Sequence, residues 1–353
     1  MKLWSISFAY RLGLGFHALN NEGSDGSNLM QPRRIDVGQV TYDGISGEII
    51  RRHILENFVE ICRNQEPKIP MLPLSEGLHP DRGPIGIRAA ARNGNTSPVK
   101  LNGTNLFQSV RTAIEKCAVL DVGGFLAAWK DAQGEANAGD YIAEKDYIDQ
   151  HCAELEKVDP VKRESCFDVA WLISENPQDL TVTQHSAFRD TASMNSRYAQ
   201  SMRSNTYGGI IRADLHRIGT DDYWYLQNNK QRLAITEDEQ KKRQKAIIAA
   251  IINFIISPTG SKTAGWAPHV FLTEGAILLT STRTAPFASP IKVDLTDQNT
   301  PVKADSTYAN KMEDIKNDTD TWVWKFKNAK ELIDTVSKIT DTLDGKNDGK
   351  KKS

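Results

Sequence analysis

Hydrophobic and polar residues alternate over residues 3–16, and this period of two predicts a first β-strand with one buried face. In the segment SGEIIRRHILENFVEICR, residues 46–63, apolar side chains instead recur every three or four positions. That spacing predicts an amphipathic helix with Ser46 at its N-cap. A second helix is expected over residues 105–118.

The rest of the chain continues this succession of strands and helices. The segments CFDVAWLIS (166–174), TYGGIIRADLHRIG (206–219) and VFLTEGAILLTS (270–281) are predicted to be strands. A helix at 236–256 has a capping box of Thr236 and Glu239 at its start, and another helix is expected near 326–342. The pattern indicates an α+β fold of the ferredoxin-like type.

Segments without periodicity interrupt this pattern and are interpreted as insertions. Residues 64–104 are irregular and basic, whereas residues 121–160 hold ten acids and only three bases and include an acidic helical insertion at 130–160. Residues 175–205 form a polar excursion, and residues 343–353 a disordered tail. The sheet domain would then comprise four pieces, namely 1–63, 105–129, 161–174 and 206–342.

Charge, cysteine content and hydropathy limit the classes of function and the location that the chain can have. With 44 Lys and Arg against 45 Asp and Glu, nucleic-acid binding would need a local basic surface. The four cysteines form no C-x-x-C pair, which indicates buried thiols in a reducing compartment and argues against zinc. The apolar run at 246–256 is too short for a bilayer, and the first residues lack a signal-peptide pattern. We therefore expect a soluble, cytoplasmic protein without membrane contact.

Sequence motifs of catalysis are weak. The stretch PTGSKT lacks the earlier glycine of a phosphate-binding P-loop, the seven histidines have no metal-ligand spacing, and no G-x-S-x-G occurs. Asp25, between glycine and serine, is the one acid placed to activate a hydroxyl or hold a cation. Ordinary turn chemistry explains it as well and is the favoured interpretation. We expect no cofactor and no metal.

The loop LNNEGSDGSNLMQPRR, residues 19–34, has the composition of a phosphate-binding loop. Its small residues let main-chain N–H groups approach an anion, its asparagines supply neutral hydrogen bonds, and its arginines supply charge. The next helix offers its N-terminus and an arginine pair. The candidates for RNA binding in these two elements are Asn20, Asn21, Gly23, Ser24, Asn28, Arg33, Arg34, Ser46, Gly47, Arg51 and Arg52.

Two more glycine-rich turns suggest the same chemistry, at Gly123 and Gly124 and at residues 260–266. Single-strand binders combine such basic tracks with apolar side chains on which bases stack or against which they are wedged. Trp266, Met194 and Met202 are candidates for this role, although core packing explains them equally well.

Six segments, in this order along most of the chain, resemble the CRISPR-associated Cas-seven superfamily and especially its DevR-like branch. The superfamily provides the backbone subunit of type I interference complexes, called Cascade. The segments are LNNEGSDGSNLMQPRR, GISGEIIRRHI, LDVGGFLAA, VKRESCFDVAW, GGIIRADLHRIG and GSKTAGWAPH.

The resemblance implies a modified RRM-like, ferredoxin-like antiparallel-sheet palm with finger-like insertions, including 64–104, and a thumb at 175–205 that carries Met194 and Met202 as a wedge. It further implies that Arg163 and Ser165 match a basic motif at the thumb base, and that Lys262 matches a glycine-rich loop. Such a subunit is non-catalytic and oligomerises along CRISPR RNA, which then pairs with target DNA. Other implied partners are Cas-five-type and Cas-eight-type subunits, with nuclease-helicase or transposition proteins as further candidates.

Two other functions stay open at this point. A type III-like backbone ribonuclease would cut target RNA through Asp25, and a transcriptional regulator would act through protein contacts alone. The CRISPR subtype, the number of copies and the role of residues 130–160 do not follow from the sequence.

Overall fold

The computed structural model describes residues 3–19, 21–22, 29–66, 69–70, 110–111, 113–115, 117–127, 161–178, 181–187, 196–226, 231–258, 270–315 and 320–344. The chain divides into two compact units, which we call the sheet unit and the second unit. The sheet unit comprises Met1–His53, Asp168–Ala213 and Ile252–Ser353, and the second unit comprises Ile54–Phe167 and Asp214–Ile251.

The strands of the described residues are, in chain order, β1 (Ser5–His17), β2 (Asn21–Glu22), β3 (Leu29–Pro32), β4 (Arg34–Val37), β5 (Val40–Ile45), β6 (Phe125–Ala127), β7 (Val161–Arg163), β8 (Phe167–Val169), β9 (Leu172–Pro177), β10 (Thr181–Ala187), β11 (Ser196–Ala213), β12 (Val270–Thr280), β13 (Ile291–Val293), β14 (Val302–Ala304) and β15 (Thr321–Phe326). The helices are α1 (Gly47–Arg63), α2 (Ala118–Gly123), α3 (Glu237–Ile256), α4 (Tyr308–Asp314) and α5 (Ala329–Leu343), with short 3₁₀ turns at Leu215–Arg217 and Trp224–Leu226.

The main sheet has the strand order β15-β12-β1-β11-β9-β5-β4, and each neighbouring pair is antiparallel. Strand β11 is long and continues beyond its pairing with β1, where β10 and β3 become its partners. The protein is therefore a mixed α+β structure built on an antiparallel sheet, as the sequence pattern predicts.

The first strand explains how the core of the sheet forms. Ile6, Phe8, Tyr10, Leu12 and Leu14 alternate along β1 and are all fully buried. Because successive side chains of a strand point to opposite faces, these residues give the sheet one continuous apolar face. We call the opposite face, which carries Ser7, Ala9 and Arg11, the Arg11 face.

Both long helices of the sequence analysis are confirmed. α1 begins at Gly47 and buries Ile50, Ile54 and Phe58 along one side. At the start of α3, the Thr236 hydroxyl oxygen accepts a hydrogen bond from the Glu239 N–H at 3.2 Å. This bond satisfies one of the free N–H groups at the helix start, as a capping box requires. The predicted C-terminal helix is α5.

Other predicted elements differ from the structure. CFDVAWLIS forms two strands, β8 and β9, because the chain breaks at Ala170 and Trp171. The strand predicted at 206–219 begins earlier, at Ser196, and ends at Ala213. The helix predicted over 105–118 is helical at 110, 111 and 113–115, breaks at Cys117 and restarts as α2. Nearly all of 64–104 and all of 130–160 lie outside the described residues.

Candidate nucleic-acid interface

Four arginines extend from one corner of the sheet unit, where β4, β5 and the start of α1 meet; we call Arg33, Arg34, Arg51 and Arg52 the arginine corner. Arg34 pairs with Asp43 across β4 and β5, and the Arg33 carbonyl accepts a hydrogen bond from the Gly44 N–H at 3.1 Å. The chain enters α1 soon after Asp43, because the end of β5 is only a few residues, within about 10 Å, further along the strand. Arg34 is exposed and the other three are half-buried, so all four are at least partly accessible to solvent.

An exposed tryptophan belongs to the same corner. The guanidinium carbon of Arg33 lies 5.3 Å from the ring centroid of Trp171, within the range of a cation–π contact. Gly44 makes room for this pair, because a Cβ there would come within 2.7 Å of Ile35 and 3.2 Å of Trp171. Trp171 was not predicted as a site residue, although VKRESCFDVAW contains it, because its cationic partner Arg33 is far away in sequence.

The start of α1 has a structural role that was not predicted. Ser46 and Gly47 are buried, and a Cβ on Gly47 would lie 2.3 Å from the carbonyl oxygen of Val169. The helix start therefore packs directly against the main chain after β8. Close packing alone therefore accounts for a glycine at this position. Phosphate binding by Ser46 and Gly47 remains only a prediction.

A buried polar cluster joins the first loop to β5 and β11. The Arg203 guanidinium donates to the Asp43 carboxylate and to the Leu19 carbonyl, and the Tyr207 hydroxyl also donates to Asp43. The His17 ring nitrogen lies 2.8 Å from the Tyr207 oxygen. Burial raises the pKa of Asp43, while the Arg203 charge acts in the opposite direction. The cluster fixes the chain positions from which residues 20–28 and the β10–β11 hairpin extend.

The structure gives Arg163 an internal role, whereas the resemblance implies a phosphate contact. Its side chain is inaccessible to solvent, and its five N–H donors all have acceptors within the second unit. They donate to the Asp121 carboxylate at 2.6 Å and its carbonyl at 2.9 Å, to Asp222 at 2.8 Å, and to the carbonyls of Thr220 and Arg217 at 3.0 and 2.9 Å. With no donor left, Arg163 holds the protein's own loops together.

The neighbouring predicted residues also have internal roles. The Ser165 hydroxyl donates to the Phe167 carbonyl at 2.8 Å. Gly123 is buried, with Leu55 about 3.1 Å from the position of a Cβ, and a Cβ on Gly124 would lie 2.5 Å from a carbonyl oxygen of β7. Gly124 also has φ +67°, where a side chain is strained. Close packing thus accounts for the glycine pair.

Met202 does not have the exposure that a wedge needs. Only 4% of it is accessible, and it pairs with Thr181 where β10 and β11 form their hairpin. The structure describes only the backbone of Asn21. Predicted residues that lie outside the described part are Asn20, Gly23, Ser24, Asp25, Asn28, Met194, Lys262 and Trp266.

Protein covers the middle of the Arg11 face. The Ser7 hydroxyl donates to the Pro286 carbonyl at 2.6 Å, and Ala9 packs in a buried cluster with Tyr308 and Met312. Further along, a Cβ on Gly208 would lie 2.5 Å from Ile291. The segment from β12 to α4 therefore occupies this part of the sheet.

Two of the segments predicted to bind phosphate, residues 20–28 and 259–269, are connected to strands at the same end of the sheet. β1 runs into residues 20–28, and β12 follows residues 259–269; the two strands are antiparallel neighbours with Leu14 opposite Val270. The C-terminal end of β1 and the N-terminal end of β12 therefore lie side by side. The start of α1 lies elsewhere, because Ile45 at the end of β5 pairs with Leu172, near the middle of the sheet.

Among the described residues, no three His, Cys, Asp or Glu side chains gather into a potential metal site. None of the helices in the described part is long and apolar enough to cross a membrane. Three of the four cysteines are described, and Cys62, Cys117 and Cys166 are buried free thiols, as predicted.

Residues 8–300 match the sequence model of one family, described as the CRISPR-associated negative auto-regulator DevR/Csa2. No curated protein matches the chain. Among solved structures, a chain of a CRISPR RNA-guided surveillance complex has 10% identity and a TM-score of 0.43, and one of a pre-nicking surveillance complex has 12% and 0.41. Each alignment covers 95% of this chain and 99% of the other.

Proposed function

Since the chain belongs to the CRISPR-associated DevR/Csa2 family, we propose that it is a non-catalytic subunit of a CRISPR effector that binds CRISPR RNA. Several copies would line the guide and present it for pairing with target DNA. Partners would include further copies of the chain and other Cascade subunits of the Cas-five and Cas-eight types.

The central strands and the order of elements along the chain support an RRM-like palm. In chain order the elements are β1, α1, β9, β11, α3 and β12, a βαββαβ succession whose strands lie in the order β12-β1-β11-β9. This is the split-βαβ arrangement of ferredoxin-like folds. We propose the β10–β11 hairpin as the thumb, because β11 continues there beyond its pairing with β1.

The arginine corner is the observation on which the proposed RNA contact rests. Guanidinium groups bind phosphate oxygens with paired, charge-assisted hydrogen bonds, and Trp171 adds an aromatic surface beside Arg33. Because the middle of the Arg11 face is covered, we place the RNA along loops and edges of the sheet unit. Asn20, Asn21, Gly23, Ser24, Asn28, Lys262 and Trp266 remain proposed contacts on the attached loops.

The proposal is tested by purifying the protein, extracting its nucleic acid and sequencing it. We expect RNA carrying CRISPR repeat sequence, and the absence of copurifying RNA would favour a regulator that acts through protein contacts. Affinity for a labelled CRISPR RNA is then measured against salt. The variants Arg33→Ala with Arg34→Ala, and Arg51→Ala with Arg52→Ala, should flatten the slope by about one per lost phosphate contact.

Arg283→Ala is the matched control for these variants. Arg283 is a partly exposed arginine just beyond Thr280, at the opposite end of β12 from Val270. Its removal should leave affinity and slope unchanged. Equal slopes for all variants would contradict a phosphate contact at the arginine corner.

Catalysis is tested with the same assembled complex. Complementary RNA incubated with Mg²⁺ should remain intact. Regularly spaced cuts that disappear in Asp25→Ala would instead assign a backbone ribonuclease.

A further inference from the structure

Two phenylalanines are exposed near the end of the sheet where β1 and β12 lie side by side. Phe16, near the end of β1, is 40% exposed, and Phe271, the second residue of β12, is 56% exposed. Phe16 is three positions after Gly13 along β1, and the Phe271 ring lies against Gly13. Three positions are about 10 Å along a strand, so both phenylalanines belong to this end of the sheet.

The backbone holds Phe16 in an unfavourable conformation. Its φ of 45° is in the left-handed region, where a bulky residue is strained. The pairing of β1 with β11 shifts register between Leu14 and His17, and the Phe16 N–H donates to the Ser204 hydroxyl at 2.8 Å. The next residue, His17, is fully buried against Tyr207. Strain at an exposed aromatic gains nothing for the core, and such strain is concentrated at ligand sites.

A second irregularity turns Phe271 outward. The pairing of β1 with β12 shifts between Gly13 and Leu14, which leaves Phe271 as the extra residue of a bulge. Its ring lies against Gly13, because a Cβ there would come within 2.5 Å of it. The ring contacts the glycine while more than half of the residue remains accessible. Two neighbouring strands thus each use a bulge at this end of the sheet to present an aromatic ring.

The charged groups beside the rings carry no net positive charge. Arg11, two residues from Gly13, donates to Glu274 at 2.6 Å and to Glu175 at 2.7 Å. One guanidinium between two carboxylates leaves no excess positive charge to attract a phosphate. A flat, uncharged ligand face suits this surface better, and unpaired nucleobases have such a face.

We propose that Phe16 and Phe271 form a stacking platform for unpaired bases of the bound RNA. This inference rests on the proposed function, since it needs a polynucleotide in the sheet unit. The two loops predicted to hold phosphates, residues 20–28 and 259–269, attach to β1 and β12 at this same end.

The test uses the full-length protein, a fluorescein-labelled single-stranded RNA and affinity measured against salt. Phe16→Gly removes the ring and also relieves the left-handed strain, so this variant should fold with an unchanged or higher Tm. Phe271→Leu keeps an apolar side chain but cannot stack. Each should weaken binding about 5- to 150-fold without changing the salt slope, because stacking releases no counterions. Phe271→Trp should retain affinity.

The matched control is Phe287→Ala, because Phe287 is also exposed, at 44%, but lies elsewhere in the sheet unit. It should bind RNA like the wild type. RNA containing 4-thiouridine should crosslink under ultraviolet light to peptides that contain Phe16 or Phe271, as identified by mass spectrometry.

The outcomes separate this inference from the proposed function. If the wild type binds RNA and both phenylalanine variants bind equally well, the platform is overturned and the proposed function stands. If the wild type binds no RNA, both are overturned. If the variants alter only the oligomeric state of RNA-free protein in light scattering, the rings contact another copy of the chain, and the platform is again overturned.

Discussion

Arg163 donates to both the side chain and the main chain of Asp121, with the carboxylate oxygen 2.6 Å from Nη2 and the carbonyl oxygen 2.9 Å from Nε. Arg243 approaches the other carboxylate oxygen at 2.9 Å, and all three side chains are inaccessible to solvent. One buried carboxylate between two guanidiniums, supplemented by backbone acceptors, is the ionic centre of the second unit.

We predict that Arg163→Ala lowers the free energy of unfolding by about 3–5 kcal/mol, because removing one partner leaves a buried charge without compensation. Chemical denaturation measures this change. Arg212→Ala is the matched control, since its 2.8 Å pair with Asp168 is exposed and should contribute about 1 kcal/mol or less. A stable Arg163→Ala protein with a flatter salt dependence of RNA binding would restore the phosphate contact.

The cluster around Asp43 supports a second prediction. Tyr207→Phe removes the hydroxyl that donates to the Asp43 carboxylate. The loss should cost about 1–3 kcal/mol of unfolding free energy, because a buried acceptor loses a donor. Thermal and chemical denaturation should both show it. A stability equal to the wild type would mean that Arg203 alone satisfies the carboxylate.

The free energy of unfolding should also depend on pH through Asp43, and the burial of this carboxyl group sets the direction of the dependence. Its pKa is higher in the folded state, so the folded protein binds the proton more tightly than the unfolded chain. This contribution to stability is present below the unfolded pKa of about 3.9 and is lost as pH rises through the folded value. Asp43→Asn should remove this component from the measured pH profile, and an identical profile would contradict the assignment.

Elements whose signal is local could be predicted from the sequence. β1 and α1 repeat their apolar period over at least five alternations and three turns, and Thr236 with Glu239 marks the start of α3. Strands β13, β14 and β15 were missed because each has only three to six residues and depends on a partner strand for its pairing.

The roles of the site residues were harder to predict, because tertiary neighbours decide them. A basic sequence motif identified Arg163, but its five acceptors come from residues 121, 217, 220 and 222, and only the fold shows that they use every donor. Likewise, a glycine at the start of a helix is typical of two situations, a bound anion or close packing against another stretch of main chain. At Gly47 the structure shows the close backbone.

Gly47 supports a prediction that separates these two roles. In Gly47→Ala the new Cβ would lie 2.3 Å from the Val169 carbonyl oxygen, so the helix start must move. We expect a loss of about 1–3 kcal/mol in unfolding free energy, as for other overpacked sites. Gly38→Asn is the control, because Gly38 has φ +64° with open space around it, a conformation that asparagine tolerates. Unchanged stability with weaker RNA binding would favour an anion-binding amide at Gly47.

The buried thiols give a final prediction, on reactivity. Burial raises the pKa of both Cys62 and Cys166 to about 12, although the charge of Arg163 partly opposes this at Cys166. At pH 8 almost no thiolate is present in the folded state, so both thiols should resist alkylation until the chain is denatured. The folded state keeps these protons more tightly than the unfolded chain, whose thiols have a pKa of about 8.5, so stability should fall as pH rises from about 8.5 toward 12. Alkylation of native and denatured protein with isotopically distinct iodoacetamide, read by mass spectrometry, measures the protection. Native labelling of Cys166 as fast as in the denatured chain would contradict its placement beside the ionic centre.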